Sequence, residues 1–187
     1  RTETLAGIRN PVGGPLTSNG KWKGVDFSPL LQKAAPRAEA TELIFSAADG
    51  YTDSVPLSVA LNNGCFLAYE MNGAALVQKH GYPARLLVPD IFGMKNVKWL
   101  RSVECVTFDF LGYWMERGWS DIAVVNTNTR IDTPNRTAKM RTGPIEIAGI
   151  ALRGACGIVM VGVSTDCGKS FVAAVLEPAR GPPRRVR

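Results

Sequence analysis

The sequence predicts an α+β protein in which a mixed α/β unit is followed by a shorter all-β unit of sandwich type. Three observations predict it. In the first part, short apolar strand patterns such as ELIFSA at 42–47 and FLAYEM at 66–71 alternate with helix patterns and tight turns. After Thr142 the period becomes two, and IEIAGIAL, GIVMVGVS and FVAAVLEP read as three strands separated by glycine-containing turns. Between them an aromatic-rich segment, GYWMERGWSD, gives way to a polar one, which places a boundary around 118–130. The expected organisation is therefore 1–120, 121–179 and a basic tail at 180–187. Three strands are too few for a complete sandwich, so the second unit is expected to be truncated.

Taken in order, residues 1–20 are rich in Gly, Pro, Asn and Thr, and NPVGGP predicts an irregular loop. Within WKGVDFSPLLQK, Ser28 is placed to cap a short helix whose first position is Pro29 and whose buried side is Leu30 and Leu31. A strand is expected at 42–47, a turn at Asp49-Gly50, and a short helix over VPLSVAL at 55–61. Asn72-Gly73 is a tight-turn pair after the strand at 66–71. A strand follows at 84–88, a turn at 89–93, and mixed strand and loop at 97–105. Residues 126–142 are expected to be loop, and TDCGK has the composition of a hairpin turn.

Composition narrows the function classes. The apolar fraction of 45% supports a real core, and no apolar run approaches the ~20 residues that span a bilayer. The net charge of +6 invites a nucleic-acid reading, but the last eight residues carry four arginines and no acid, so the remainder has a charge of only +2. The excess belongs to a solvated tail, and no nucleic-acid partner is expected. Cys65, Cys105, Cys156 and Cys167 form no CxxC pair and fit neither a zinc site nor a disulfide scaffold. No metal-ligating set is assigned, and neither a P-loop nor a GxGxxG, HExxH or GxSxG motif is present.

Chemistry concentrates in HGYPARLLVPDIFGMKNVKWL, residues 80–100. It contains the only histidine, His80, and two cations, Arg85 and Lys98, on either side of an apolar run. An imidazole, a forked guanidinium and an ammonium together suit one anionic ligand. Solvated loop cations are the competing account of the same residues.

The segment HGYPAR…GMKNVKWL resembles the sulfite oxidase family of molybdopterin enzymes, whose pattern is HG-x-P-x-R…G-x-x-x-VKWL. LAYEMNG, SAADGYTDSVPLSVAL and SNGKWKGVDFSPLL resemble three further segments of that family. Residues 147–176 resemble the start of its C-terminal immunoglobulin-like dimerisation domain. The resemblance implies a mixed molybdopterin-binding domain, incomplete at its N-terminus, followed by a truncated immunoglobulin-like β-sandwich. It implies a molybdenum–molybdopterin cofactor contacted by His80, Arg85 and Lys98, with Asn96 and Asn10 adding hydrogen bonds. It also implies oxygen-atom transfer on a small oxyanion or sulfur-containing substrate, an external electron acceptor and a homodimer formed through the C-terminal unit. Tyr113, in a GYW segment similar to a substrate-side segment of the family, is the candidate catalytic residue, with packing as the alternative. Location follows only by analogy, as periplasmic or cell envelope.

The resemblance breaks at one position. TLAGIRNPVGG resembles a TL-x-C-I-x-N-x-VGG run whose cysteine thiolate binds molybdenum, and this chain has Gly7 there. Three outcomes follow: a homologue that holds the pterin without turnover and serves as a binding or assembly module, a site with water or hydroxide in the open metal position, or a fragment or damaged copy.

Overall fold

The computed structural model describes residues 1–8, 16–62, 64–135, 137–153 and 157–177, and the backbone of 184–186. In chain order the elements are β1 Thr2–Ala6, β2 Thr17–Asp26, α1 Phe27–Ala34, β3 Glu42–Ala47, β4 Thr52–Pro56, α2 Leu57–Asn62, β5 Phe66–Met71 and β6 Ala74–Ala75. They continue with β7 Arg85–Leu87, β8 Leu100–Val106, β9 Asn128–Thr133, β10 Ala148–Leu152, β11 Gly162–Val163, β12 Val172–Ala173 and β13 Arg184–Val186.

Two antiparallel sheets frame the first part. In one the order is β1-β2-β5-β6, with β7 also paired to β5; in the other it is β4-β3-β8. The strand ELIFSA is buried along almost its whole length because β3 is central and covered on both faces. Phe45, Leu43, Leu86, Val88 and Val97 form the main core with Phe27 and Leu31 of α1 and Ala60 of α2. A second cluster lies on the β2-β5-β7 sheet and contains Trp22, Phe66, Ala68, Leu76 and Leu87.

Several expectations give way to cross-strand pairing. Residues 2–6 and 17–20 are strands, not loop. Thr4 faces Asn19 in the β1–β2 ladder, and the Thr4 hydroxyl donates to Asn19 Oδ1 at 2.6 Å. The Gly/Pro run that suggested a loop falls at 9–15, outside the described residues, and Asn10 with it. The first helix begins at Phe27, with Asp26 as the extended residue before it, and no side chain caps it, so Ser28 lies inside the first turn. Trp22 belongs to β2. Val55 and Pro56 close β4 before α2 begins at Leu57. A strand, β9, occupies part of the expected 126–142 loop because β10 supplies its ladder partners.

In the last part the order is β13-β10-β9, and β11-β12 is a separate hairpin. The backbone of 184–186 pairs with Gly149–Ala151, so part of the expected tail is a strand. TDCGK does form the hairpin turn: Asp166 accepts from the Ser164 hydroxyl at 2.7 Å and the Ser170 amide at 2.9 Å. The two parts touch where Val125 and Leu152 pack on Ala6 and Phe92. No helix among the described residues is long and apolar enough to cross a membrane.

The cysteines divide sharply. Cys65 is buried, and burial pushes its thiol up to about 11, whereas Cys105 and Cys167 are exposed. Iodoacetamide at pH 8 is therefore expected to alkylate Cys105 and Cys167 in the folded chain and Cys65 only after denaturation, as read by peptide mass spectrometry. Cys65 modified as fast as the other two would show that its burial is wrong.

Candidate anion and cofactor site

A cavity of about 390 Å³ draws its lining from residues of both sheets and the loops beside them. It is lined by Arg85, Lys98, Asn96, Val97, Gly93 and Met94 from the 80–100 stretch, by Ala47, Asp49 and Tyr51, and by Trp99 and Trp114. Arg85 reaches it from β7, whose register places Arg85 opposite Ala68 of β5. Lys98 comes from the loop entering β8. Gly81 brings the two cations together. Its φ is +106°, and a Cβ there would lie 3.0 Å from Arg85 Cβ and 3.1 Å from Lys98 Cβ. The HG pair of the motif is thus a spacing device: any larger residue would be strained and would push the stems apart.

Arg85 is 6% exposed. Its terminal nitrogens donate to the backbone carbonyls of His80 and Asn96, each at 3.2 Å. Its Nε has no partner, and no carboxylate pairs with it among the described residues. Burial lowers its pKa to about 10. Lys98 donates only weakly, to Lys79 O at 3.3 Å, and lies 4.2 Å over the Trp99 ring. Burial and the neighbouring Arg85 both depress its ammonium.

Lys95, three residues earlier, has the opposite environment. It is 1% exposed, and its Nζ donates to Asp53 Oδ1 at 3.1 Å, Asp121 Oδ1 at 2.9 Å and Ser54 O at 2.7 Å. Asp53 also accepts from the Tyr51 hydroxyl at 2.6 Å and the Ser54 amide at 2.8 Å. Burial holds Asp53 above the usual carboxylate value against the opposing pull of Lys95. The result is a charge-paired cluster that ties the 93–98 loop to β4. Two buried cations therefore sit in one region, one matched by two carboxylates and the other by none.

Residues 2–114 match the family described as oxidoreductase molybdopterin binding domain. The chain is 33% identical to a sulfite oxidase of Arabidopsis thaliana, over 93% of this chain and 54% of the relative. The chain belongs to the sulfite oxidase family of molybdopterin oxidoreductases. It is also 28% identical to the mitochondrial sulfite oxidase of Macaca fascicularis, over 90% of this chain and 36% of the relative. The crystal structure of the sulfane dehydrogenase SoxCD from Paracoccus pantotrophus superposes with a TM-score of 0.84 at 25% identity, covering 100% of this chain and 55% of that one. The chain thus spans about half the length of these relatives, or less.

Family membership implies a molybdenum–molybdopterin cofactor, and the cavity fits its anionic end. A buried guanidinium with no counter-charge among the described residues, beside a second cation that no carboxylate pairs there, suits a phosphate dianion. Among the sequence candidates, the structure brings Arg85, Lys98 and Asn96 to one cavity. Asn96 contributes indirectly. Its Oδ1 accepts from the Val88 amide at 2.7 Å and its Nδ2 donates to Ile91 O and Phe92 O, so the side chain fixes the loop while its carbonyl holds Arg85. His80 is half-buried in a 3₁₀ turn, and its backbone carbonyl, not its ring, is the group in contact with Arg85.

Tyr113 stands beside the cavity, not in its lining. It is 45% exposed, packs edge-on against Trp114 with centroids 5.1 Å apart, and carries the Arg117 guanidinium 3.6 Å over its ring. Tyr51 and Trp114, which do line the cavity, are not among the candidate site residues the sequence offers. Nor was the Asp53–Lys95 pair, whose members lie 42 residues apart. The one available signal was the pair of lysines in MKNVKW, which the sequence does not distinguish.

Gly7 is next to the site. Its amide donates to Leu16 O at 2.7 Å, and the preceding Ala6 carbonyl lies 3.3 Å from where a Cβ on the cavity-lining Gly93 would sit. A Cβ at Gly7 would come within 3.1 Å of Leu16 Cβ. Among the described residues no cluster of His, Cys, Asp and Glu could hold a metal ion.

Proposed function

We propose that this chain holds the molybdenum–pterin cofactor through its phosphate, with Arg85 as the principal contact, Lys98 as a second charge, and His80 and Asn96 positioning Arg85. The observation that carries the reading is the buried Arg85 guanidinium, which has no carboxylate partner among the described residues. Asn10, matched by the resemblance, completes the proposed set. When bound, the cofactor supplies oxygen-atom transfer to or from a small sulfur-containing substrate, and electrons pass to an external acceptor. The chain's own residues bind and orient it: Gly81 keeps the cations adjacent, the Asp53–Lys95–Asp121 cluster fixes the 93–98 wall, and Tyr113 covers the aromatic side. The division at 1–120 and 121–179, with an immunoglobulin-like second unit that dimerises, belongs to the same reading.

Gly7 supports a second reading, a homologue that keeps the pterin as a binding or assembly module without turnover. Glycine offers no thiolate, and the buried, hard-to-ionise Cys65 is a poor replacement. Expression in molybdenum-replete cells, followed by metal analysis and fluorescence of the oxidised pterin, tests both. Pterin near one per chain is the expected result, and chain purified free of pterin from such cells would sink the proposal. Sulfite or sulfoxide turnover by loaded chain would eliminate the second reading.

A further inference from the structure

We propose that Trp22 is a positioning residue for the anion site, acting through Arg85; the inference rests on the phosphate reading of Arg85. Among the described residues, two buried nitrogen donors lack a partner, Arg85 Nε and Trp22 Nε1, and they belong to side chains in contact. The Arg85 guanidinium carbon lies 5.4 Å from the Trp22 ring centroid, and Trp22 is 4% exposed.

The sheet explains how they meet. Arg85 on β7 is paired with Ala68 on β5, and Ala68 shares the apolar cluster with Trp22, Phe66 and Leu87. Arg85 therefore leaves the sheet on its apolar face, where Ala68 is too short to obstruct it. Trp22 lies along its own strand over Gly20: a Cβ at Gly20 would be 2.9 Å from the indole Nε1 and Cε2. Gly20 and Ala68 together leave room for an indole and a guanidinium to share that face.

The physical consequence is specific. A buried guanidinium usually takes a carboxylate, which would also compete with an incoming anion. The negative face of an indole attracts the cation without offering it a hydrogen-bond acceptor. Trp22 thus helps keep Arg85 charged, buried and oriented while leaving its donors to the two carbonyls and the ligand. Neither the charge pattern nor the resemblance assigns Trp22 this part.

The test is a double-mutant cycle on the full chain prepared without pterin, with inorganic phosphate as the probe and calorimetry as the readout. Trp22→Leu is expected to weaken phosphate binding about tenfold, within the range set by a partly desolvated cation–π contact. Trp22→Phe, which retains a π face, should stay within about threefold of the wild type. In an Arg85→Met background, Trp22→Leu should change the residual binding less than twofold. An equal effect of Trp22→Leu with and without Arg85 would overturn the proposal, as would wild-type affinity in Trp22→Leu. If Trp22→Leu does not fold, Trp22→Phe and Gly20→Ala decide it. Gly20→Ala crowds the indole edge and should weaken phosphate in the wild-type background only, and an effect that persists without Arg85 overturns the proposal. Arg85→Met binding phosphate as well as the wild type would instead remove the underlying phosphate reading, so the two failures are distinct.

Discussion

Lys95→Met is expected to lower the unfolding free energy by about 3–5 kcal/mol, the usual cost of breaking a buried ion pair by removing one partner. Asp53 is 0% exposed and would lose its cation, although the Tyr51 hydroxyl and the Ser54 amide would remain on it. Urea unfolding followed by circular dichroism would show a lower midpoint at unchanged slope. The deficit should depend on pH with a definite sign. Burial already holds Asp53 above the ordinary carboxylate value, and loss of Lys95 raises it further. The charged form is then the unfavourable one, so the deficit is fully present above the folded value and shrinks as pH falls through it. A variant whose deficit grows on acidification, or one within about 1 kcal/mol of the wild type at pH 7, would refute the ionised pair. Because Lys95 anchors the loop that contains Asn96, Val97 and Lys98, phosphate affinity should fall as well.

Arg85→Met is expected to behave in the opposite way. It should lose phosphate and pterin, with binding reduced at least a hundredfold. Folding stability without ligand should stay within about 1 kcal/mol of the wild type, because the relief of burying a charge with no counter-charge offsets the loss of the two hydrogen bonds to carbonyls. The sign again follows from the ionisation. Burial lowers Arg85 to about 10, so its charge opposes folding at every pH below that value and is relieved only as pH rises beyond it. Phosphate calorimetry and ligand-free urea unfolding on one preparation separate the effects. Large destabilisation with unchanged phosphate affinity would mean that Arg85 is structural. Together the two variants distinguish a cation that holds the fold from one held by the fold for a ligand.

Parts of this arrangement were legible in the sequence because they depend on local pattern. Strands β3 and β5 fall at 42–47 and 66–71, as alternation and turn signals predict. That Arg85 and Lys98 lie together was also legible, because their residue types suit one chemistry and the motif links them, and both line one cavity. The N-terminal strands and β9 were not legible, since polar Thr- and Asn-containing segments become strands only when a neighbour supplies the ladder. Lys95 and Lys98 look alike in MKNVKW, and only the approach of Asp53 from β4 and Asp121 from a later loop separates them. The aromatic wall was not legible either: Trp114 and Tyr51 are 63 residues apart, and only the fold brings both to the cavity.

The placement of the indoles gives the site an optical handle. The chain has four tryptophans. Trp99 and Trp114 line the cavity, Trp22 faces Arg85, and Trp119 lies with its ring 5.4 Å from that of Trp114. Intrinsic emission is therefore a report on this one region and not an average over the fold. A pterin held at the proposed site, absorbing in the near ultraviolet, would lie within energy-transfer range of these emitters, so its occupancy could be followed in real time without a label, a tag or turnover.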